Sequence, residues 1–260
     1  MRALLLAVLL LSGCTTAYGD GMGDILRGQG IAAREPDYDV PYVPTPEPVV
    51  DAMLAMAQVG ANDTLIDLGS GDGRIAIAAA RRGARANGIE IDAALVERAR
   101  RNAALYTLTD RARFSRANLF DVPLRDASVV TMYLLPKINL ALRPRLLNEL
   151  RPGTRIVTHA FDMGEWRADE ERLVADRRVF LWIVPAVAGG DWLATLPDGR
   201  QVPLHVDQRF QDVTGTLGNA AIAGTLRGTA IRLTAAGRSY TGTVGEATIT
   251  GDGWRAVRLP

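Results

Sequence analysis

From Thr64 onward the chain alternates short apolar runs with longer stretches whose apolar residues recur at helical spacing. The runs predict strands at 64–68, 86–91, 113–118, 128–134 and 155–160. The stretches between them predict helices at 74–82, 93–105 and about 138–150. A further helix precedes them in "TPEPVVDAMLAMAQVG", with Thr45 as N-cap, Pro46 in the first turn and Gly60 placed to stop it. Such alternation implies right-handed crossovers around a largely parallel, buried sheet.

The rhythm breaks at "ERLVADRRVFLWIVPA", 171–186, where two apolar runs are separated by a short polar turn and no helix. These runs predict an antiparallel hairpin that closes the sheet. Beyond Ala186 the helical signal vanishes, and short alternating segments punctuated by Gly predict a small antiparallel sheet or barrel. The boundary falls in "AVAGGD", so the expected domains are 41–186 and 187–260. Trp192, Phe210, Tyr240 and Trp254 are expected to form the core of the second.

Composition adds bounds rather than identity. With 48% apolar and 23% charged residues in 260, the chain can bury a sizeable core. A net charge of +1 gives no global field toward nucleic acid, and no nucleic-acid partner is expected. Lys137 is the single lysine among 30 basic residues, which reads as a compositional bias or as the sparing of self by a lysine-modifying enzyme. Two histidines, His159 and His205, and one cysteine give no metal-ligand spacing, so no metal is expected.

The first fourteen residues, "MRALLLAVLLLSGC", have a secretory layout: Arg2, then an apolar run too short to span a bilayer. Leu11-Ser12-Gly13-Cys14 resembles the lipobox of bacterial lipoproteins, which implies lipidation at Cys14, a tether over 15–40 and an envelope location. The competing reading starts the protein at Met22 and leaves it cytoplasmic.

The densest chemistry lies in "LIDLGSGDGRIAIAAA", where an apolar strand runs into Gly69, Gly71 and Gly73 and a helix follows at once. A dinucleotide fingerprint needs its third glycine where Arg74 stands, and no Gly-Lys-Ser/Thr follows to make a phosphate loop. Carboxylates flank the bend instead. Asp67 precedes it, Asp72 lies inside it, and Glu90 ends the next strand in "GIEID", where a carboxylate can accept ribose hydroxyls. An acid-rich rim suits a cationic nucleoside without phosphate, which is the description of S-adenosylmethionine.

"DLGSGDG" with "GIEID" resembles the class I S-adenosylmethionine-dependent methyltransferases. The resemblance implies a Rossmann-like seven-strand sheet, parallel with an antiparallel terminal hairpin. It also implies that Asp67 holds the methionine ammonium through nearby groups, that Gly69, Ser70, Gly71, Asp72 and Gly73 line the methionine moiety, and that Glu90 clasps the ribose. Asn118 and Leu119 in "ANLFD" would flank the adenine.

"YVPTPEPVV" and "VVTMYLLP" narrow the resemblance to the mitochondrial seven-strand lysine methyltransferases that act on inner-membrane carriers and the ATP-synthase c-ring. It covers about 40–186 and implies a protein lysine or another amine as acceptor, with a small molecule as runner-up. It also implies that Tyr42 and Thr45 close over the cofactor and that Tyr133 borders the methyl-transfer channel. Distant relatives carry Asn at that last position. Two of these residues keep a second reading: Thr45 as a cap alone, Tyr133 as a core aromatic. His159 and Asp162 fall on the same sheet edge, His159 either structural or a proton acceptor. A different class also stands: a non-catalytic envelope lipoprotein that binds a nucleoside-like ligand.

Overall fold

A computed structural model describes residues 42–260. The signal, lipobox and tether expected over 1–40, Cys14 included, lie outside the described residues. Seven strands form one sheet in the order β3-β2-β1-β4-β5-β7-β6. They are β1 (Thr64–Leu68), β2 (Arg85–Glu90), β3 (Ala112–Arg116), β4 (Val129–Met132), β5 (Arg155–His159), β6 (Glu170–Val174) and β7 (Arg177–Ile183). The first five run parallel, and β7 is antiparallel to both β5 and β6. This is the expected Rossmann-like seven-strand sheet with an antiparallel terminal hairpin.

The central strands are covered on both faces, which is why "TLIDL" and "VVTM" read as continuous apolar runs rather than alternations. Helices α1 (Glu47–Met56), α2 (Arg74–Arg81), α3 (Ala93–Leu105) and α4 (Pro136–Glu149) supply the cover. On α2 the buried Ala76, Ala79 and Ala80 let the helix lie close to the sheet. On α1 Val49, Val50, Met53 and Leu54 are buried in the same core.

Helix α1 corrects two local expectations. Pro46, not Thr45, is the N-cap, and no side chain caps this end. Its other end is set before Gly60: Ala57 is the C-cap, and Gln58 already has φ 50°. Gly60 instead donates its N–H to Asp63 Oδ2 at 2.9 Å.

The last seventy residues form a closed antiparallel barrel of eight strands, β8 (Gly190–Thr195) to β15 (Arg255–Arg258), in which each strand pairs with the next and β15 returns to β8. Alternate positions point inward, as in β12 (Ala230–Ala235), and a barrel this small is filled by side chains. Gly215 and Gly224 occur where a Cβ would collide with the backbone carbonyl of the neighbouring strand, at His205 and Arg232.

Trp192 and Trp254 belong to the barrel core, and Tyr240 packs against it. Phe210 does not. Its ring leaves the barrel and stacks on Trp166 of the sheet domain, with centroids 6.0 Å apart. Alternation counting cannot place it, because Phe210 sits in the turn between β9 (Gln201–Arg209) and β10 (Asp212–Leu217).

Candidate functional site

The carboxyl ends of β1, β2, β4 and β5 are neighbours at one edge of the sheet, and they carry Asp67, Glu90, Tyr133 and His159 at or just beyond them. Crevices at that edge are where open α/β sheets bind ligands.

Asp67 is 1% exposed. Its Oδ1 accepts a 2.8 Å hydrogen bond from Thr131 on β4, while Oδ2 has no partner. Burial, with the charges of Glu90 and Asp72 adding to it, pushes its carboxyl up to about 7 against the pull of the Thr131 hydroxyl. Ser70, also buried, has an unpartnered Oγ. A buried acceptor just before a glycine bend and a buried hydroxyl within it, both without partners, fit a ligand that brings its own positive donor.

The glycines are demanded by backbone conformation and by close packing. Gly69, Gly71 and Gly73 all have positive φ (76°, 53° and 83°), a backbone that side chains avoid. The space each leaves is filled by protein. A Cβ would stand 2.8 Å from Leu134 at Gly69, 2.5 Å from the Tyr42 ring at Gly71 and 2.6 Å from Phe114 at Gly73. Gly73 therefore makes room for helix–strand packing against Phe114 and Ala99.

Asp72 departs from expectation. Arg74 donates from Nε to its Oδ1 at 2.9 Å and from Nη2 to its Oδ2 at 2.7 Å, and the Tyr42 hydroxyl also favours its ionised form. These bonds outweigh burial and hold the Asp72 carboxyl below the usual range. A carboxylate so occupied has no free face for a ligand's ammonium. It fastens the segment 42–46 instead, since Arg74 Nη1 also donates to the Thr45 carbonyl at 2.9 Å.

Thr45 is buried, and its hydroxyl lies 3.1 Å from His159 Nδ1. His159 is buried too, with Nε2 unpartnered, and its ring lies 3.8 Å from that of Tyr133. Burial, helped by Arg177, lowers its pKa to about 4, so the imidazole is neutral at pH 7. Phe161 stacks on Tyr133, with ring centroids 6.3 Å apart. Glu90 is half-buried, with Oε2 accepting from Gly71 N–H and Oε1 from the N–H groups of Ile91 and Asp92. Three of its roughly four lone-pair sites are thus taken, which leaves room for one hydroxyl without rearrangement.

Asn118 is exposed and accepts from Phe120 N–H; Leu119 is half-buried beside it. Arg145 fixes this loop by donating to the carbonyls of Leu119, Phe120 and Val122. Arg145 carries no motif, and Thr131 lies within "VVTMYLLP" without a role that this stretch implies. Thr131 has one local signal, a polar residue inside a fully buried strand.

The ANTKMT methyltransferase domain model matches residues 67–170. A protein-lysine N-methyltransferase of Saccharolobus islandicus is 42% identical over 151 residues, 56% of this chain and 94% of that protein. The adenine nucleotide translocase lysine N-methyltransferase of Mus musculus is 36% identical, over 49% of this chain and 56% of the mouse protein. An RNA methyltransferase of Salinibacter ruber, crystallised with S-adenosyl-L-homocysteine, is 51% identical with a TM-score of 0.54, covering 55% of this chain and 94% of that one. Sheet, glycine bend and these relatives agree: the chain belongs to the S-adenosylmethionine-dependent methyltransferases, with a domain of the ANTKMT type.

Proposed function

We propose that this methyltransferase acts on the side-chain amine of lysine in a protein. The observation that carries the reading is the neutral aromatic group of Tyr133, His159 and Phe161 beside the buried carboxylate of Asp67. A cationic side chain there would repel an amine; these rings do not.

S-adenosylmethionine supplies a methyl group already activated by positive sulfur. The chain's task is then alignment, which can account for several kcal/mol of barrier. In this reading Asp67 Oδ2 takes the methionine ammonium, Ser70 Oγ takes a second polar contact, and Glu90 Oε2 takes one ribose hydroxyl. Asn118 and Leu119 border the adenine, and Tyr42 and Thr45 cover the bend. Gly73 acts through packing, and Asp72 through the cover rather than by touching the ligand. Tyr133 lines the approach of the acceptor, where removal from water favours the neutral, nucleophilic amine. His159, kept neutral, adds no charge that would oppose a cationic cofactor.

An RNA acceptor is the second reading, favoured by the identity with the Salinibacter protein. Methyl-labelled S-adenosylmethionine incubated with host extract separates the two. Label that survives ribonuclease, is lost to proteinase and appears as methyl-lysine after acid hydrolysis supports the first. Label lost to ribonuclease overturns it.

The proposal extends to location: Cys14 as lipid anchor in a bacterial envelope. Palmitate labelling that is lost in Cys14→Ser tests it; equal labelling of both forms, or none of either, rejects it.

A further inference from the structure

The segment 160–169 starts at the site edge, after His159, and ends where β6 begins. Glu170 pairs with Leu181, which is level with Val157 in the middle of β5, and Asp169 Oδ2 accepts from Ile183 N–H at 2.8 Å, so the segment reaches into the far half of the sheet. The segment is therefore a strap running back along the sheet from the site edge, where a helix would usually cross. Its upper end is Phe161, beside Tyr133.

Two groups on α4 hold the strap's first half. Asn139 Nδ2 donates to the Phe161 and Asp162 carbonyls at 3.3 and 3.2 Å, and Arg143 Nη1 donates to the Met163 carbonyl at 2.8 Å. The second half is held from two sides: by β7, where Trp182 Nε1 donates to the Trp166 carbonyl at 2.8 Å, and by the barrel. Phe210 stacks on Trp166 with planes 16° apart, and the Arg143 guanidinium lies 5.3 Å from the centre of the same Phe210 ring. Gln211, 3% exposed, donates from Nε2 to the Arg167 carbonyl at 2.8 Å. Ion pairs Arg209–Glu165 and Arg167–Asp212 flank the contact.

Phe210 and Gln211 form the two-residue turn between β9 and β10, a place that favours Asn and Gly. Phe210 has φ 56°, a left-handed conformation costing about 1 kcal/mol in a residue with a Cβ. Such strain persists where surroundings over-determine it. The barrel's other contact is remote from the site: Gly228 accepts from Ala186 N–H, and a Cβ there would stand 3.1 Å from Gly153 Cα, just before β5. These contacts do not make the barrel a lid over the cofactor.

We infer that the barrel is a positioning module: through Phe210 and Gln211 it anchors the strap and so fixes the acceptor-side wall at Phe161. Phe210 and Gln211 are positioning residues that touch neither cofactor nor acceptor. The inference rests on the reading of Tyr133 and Phe161 as the acceptor side.

The test compares Phe210→Gly, which relaxes the turn but removes the ring, with Phe210→Tyr, which restores the ring. Full-length chains saturated with S-adenosylhomocysteine are followed by hydrogen–deuterium exchange, and methyl transfer is assayed on poly-L-lysine. Phe210→Gly is expected to speed exchange over 160–169 about tenfold and to raise KM for poly-L-lysine several-fold. Exchange in β1 and β4 and S-adenosylhomocysteine affinity should stay unchanged, and Phe210→Tyr should return both strap readouts. Unchanged strap exchange, or an equal loss of cofactor affinity, overturns the inference. Should Phe210→Gly not fold, Gln211→Ala enters the same comparison. If the native chain leaves poly-L-lysine unmethylated, the lysine reading suffers, while the exchange result still decides the role of the barrel.

Discussion

The hydroxyl of Thr45 lies 3.1 Å from Nδ1 of His159, joining two buried side chains 114 positions apart. The bond ties the segment before α1 to the end of β5 and places a neutral imidazole against Tyr133. Thr45→Val keeps the shape and deletes the bond, leaving Nδ1 of a buried ring unpaired, at a cost of about 1–2 kcal/mol. Urea denaturation should register that loss, and calorimetry a weaker cofactor affinity as the cover loosens. Thr45→Ser should behave as the native chain. If Val and Ser variants match, the bond has no such role.

Asp67 leads to a proton-linked affinity. In the cofactor-free chain its carboxyl titrates at about 7, burial and the neighbouring carboxylates outweighing the Thr131 hydroxyl. A cationic ammonium at Oδ2 favours the ionised form, so binding should expel a proton below pH 7. Affinity for S-adenosylmethionine should fall about tenfold per pH unit below 7 and level off above it. Titration calorimetry at pH 6.5 in two buffers of different ionisation enthalpy should give different apparent heats. Equal heats, or a pH-independent affinity, would remove the ammonium from Asp67. Asp67→Asn should bind weakly at every pH.

Much of this site is legible in sequence because its parts are local. Asp67, the glycines and Glu90 fall at the ends of two successive strands, and the strand–helix alternation orders those strands side by side. What escapes is decided by distant partners. "TPE" reads locally as a cap, and only the fold shows that the Thr45 hydroxyl turns toward His159. Asp72 reads as one more acid on the rim until Arg74, two residues on, is seen to fold back onto it. Phe210 reads as barrel core because alternation counts inward positions, whereas a turn residue can point out of the barrel altogether. The glycine spacing does not show that a Cβ at these positions would meet Leu134, Tyr42 and Phe114.

Gly71→Ala tests that last point. The new methyl would lie 2.5 Å from the Tyr42 ring, on a backbone with φ 53°. It should push the cover off the bend and destabilise the chain by about 1–2 kcal/mol. Faster dissociation of cofactor, seen in stopped-flow, should accompany it. Adding Tyr42→Ala removes the collision but not the backbone strain, so the double variant should lose less than the sum of the two singles. Additive losses would mean that Tyr42 does not lie over Gly71.

Tyr133→Phe keeps the stack on His159 and Phe161 and removes one hydroxyl. With that hydroxyl lining the acceptor approach, kcat should fall about tenfold, in the range of a single hydrogen bond made in the transition state. S-adenosylhomocysteine affinity should hold within twofold, since the change lies on the acceptor side. An unchanged kcat would reduce Tyr133 to a packing residue.

Stability against pH separates the two buried titratable groups at the strand ends, because their slopes oppose. His159 folds with its pKa at about 4 instead of 6.5, so the unfolded chain binds the extra proton and stability is lost as pH falls from 6.5 to 4. Asp67 folds with its carboxyl at about 7 instead of 3.8, so the folded chain binds the extra proton and stability is lost as pH rises from 3.8 to 7. At 1.36 kcal/mol per unit each effect has an upper bound of about 3–4 kcal/mol, and between pH 4 and 6.5 they nearly cancel. The cofactor-free chain should therefore show a flat stability profile over that window from this pair. Asp67→Asn should uncover a stability that falls toward acid, and His159→Gln one that rises toward acid, each read from urea midpoints at half-unit steps. Identical slopes in the two variants would mean that neither group carries the shift its burial imposes.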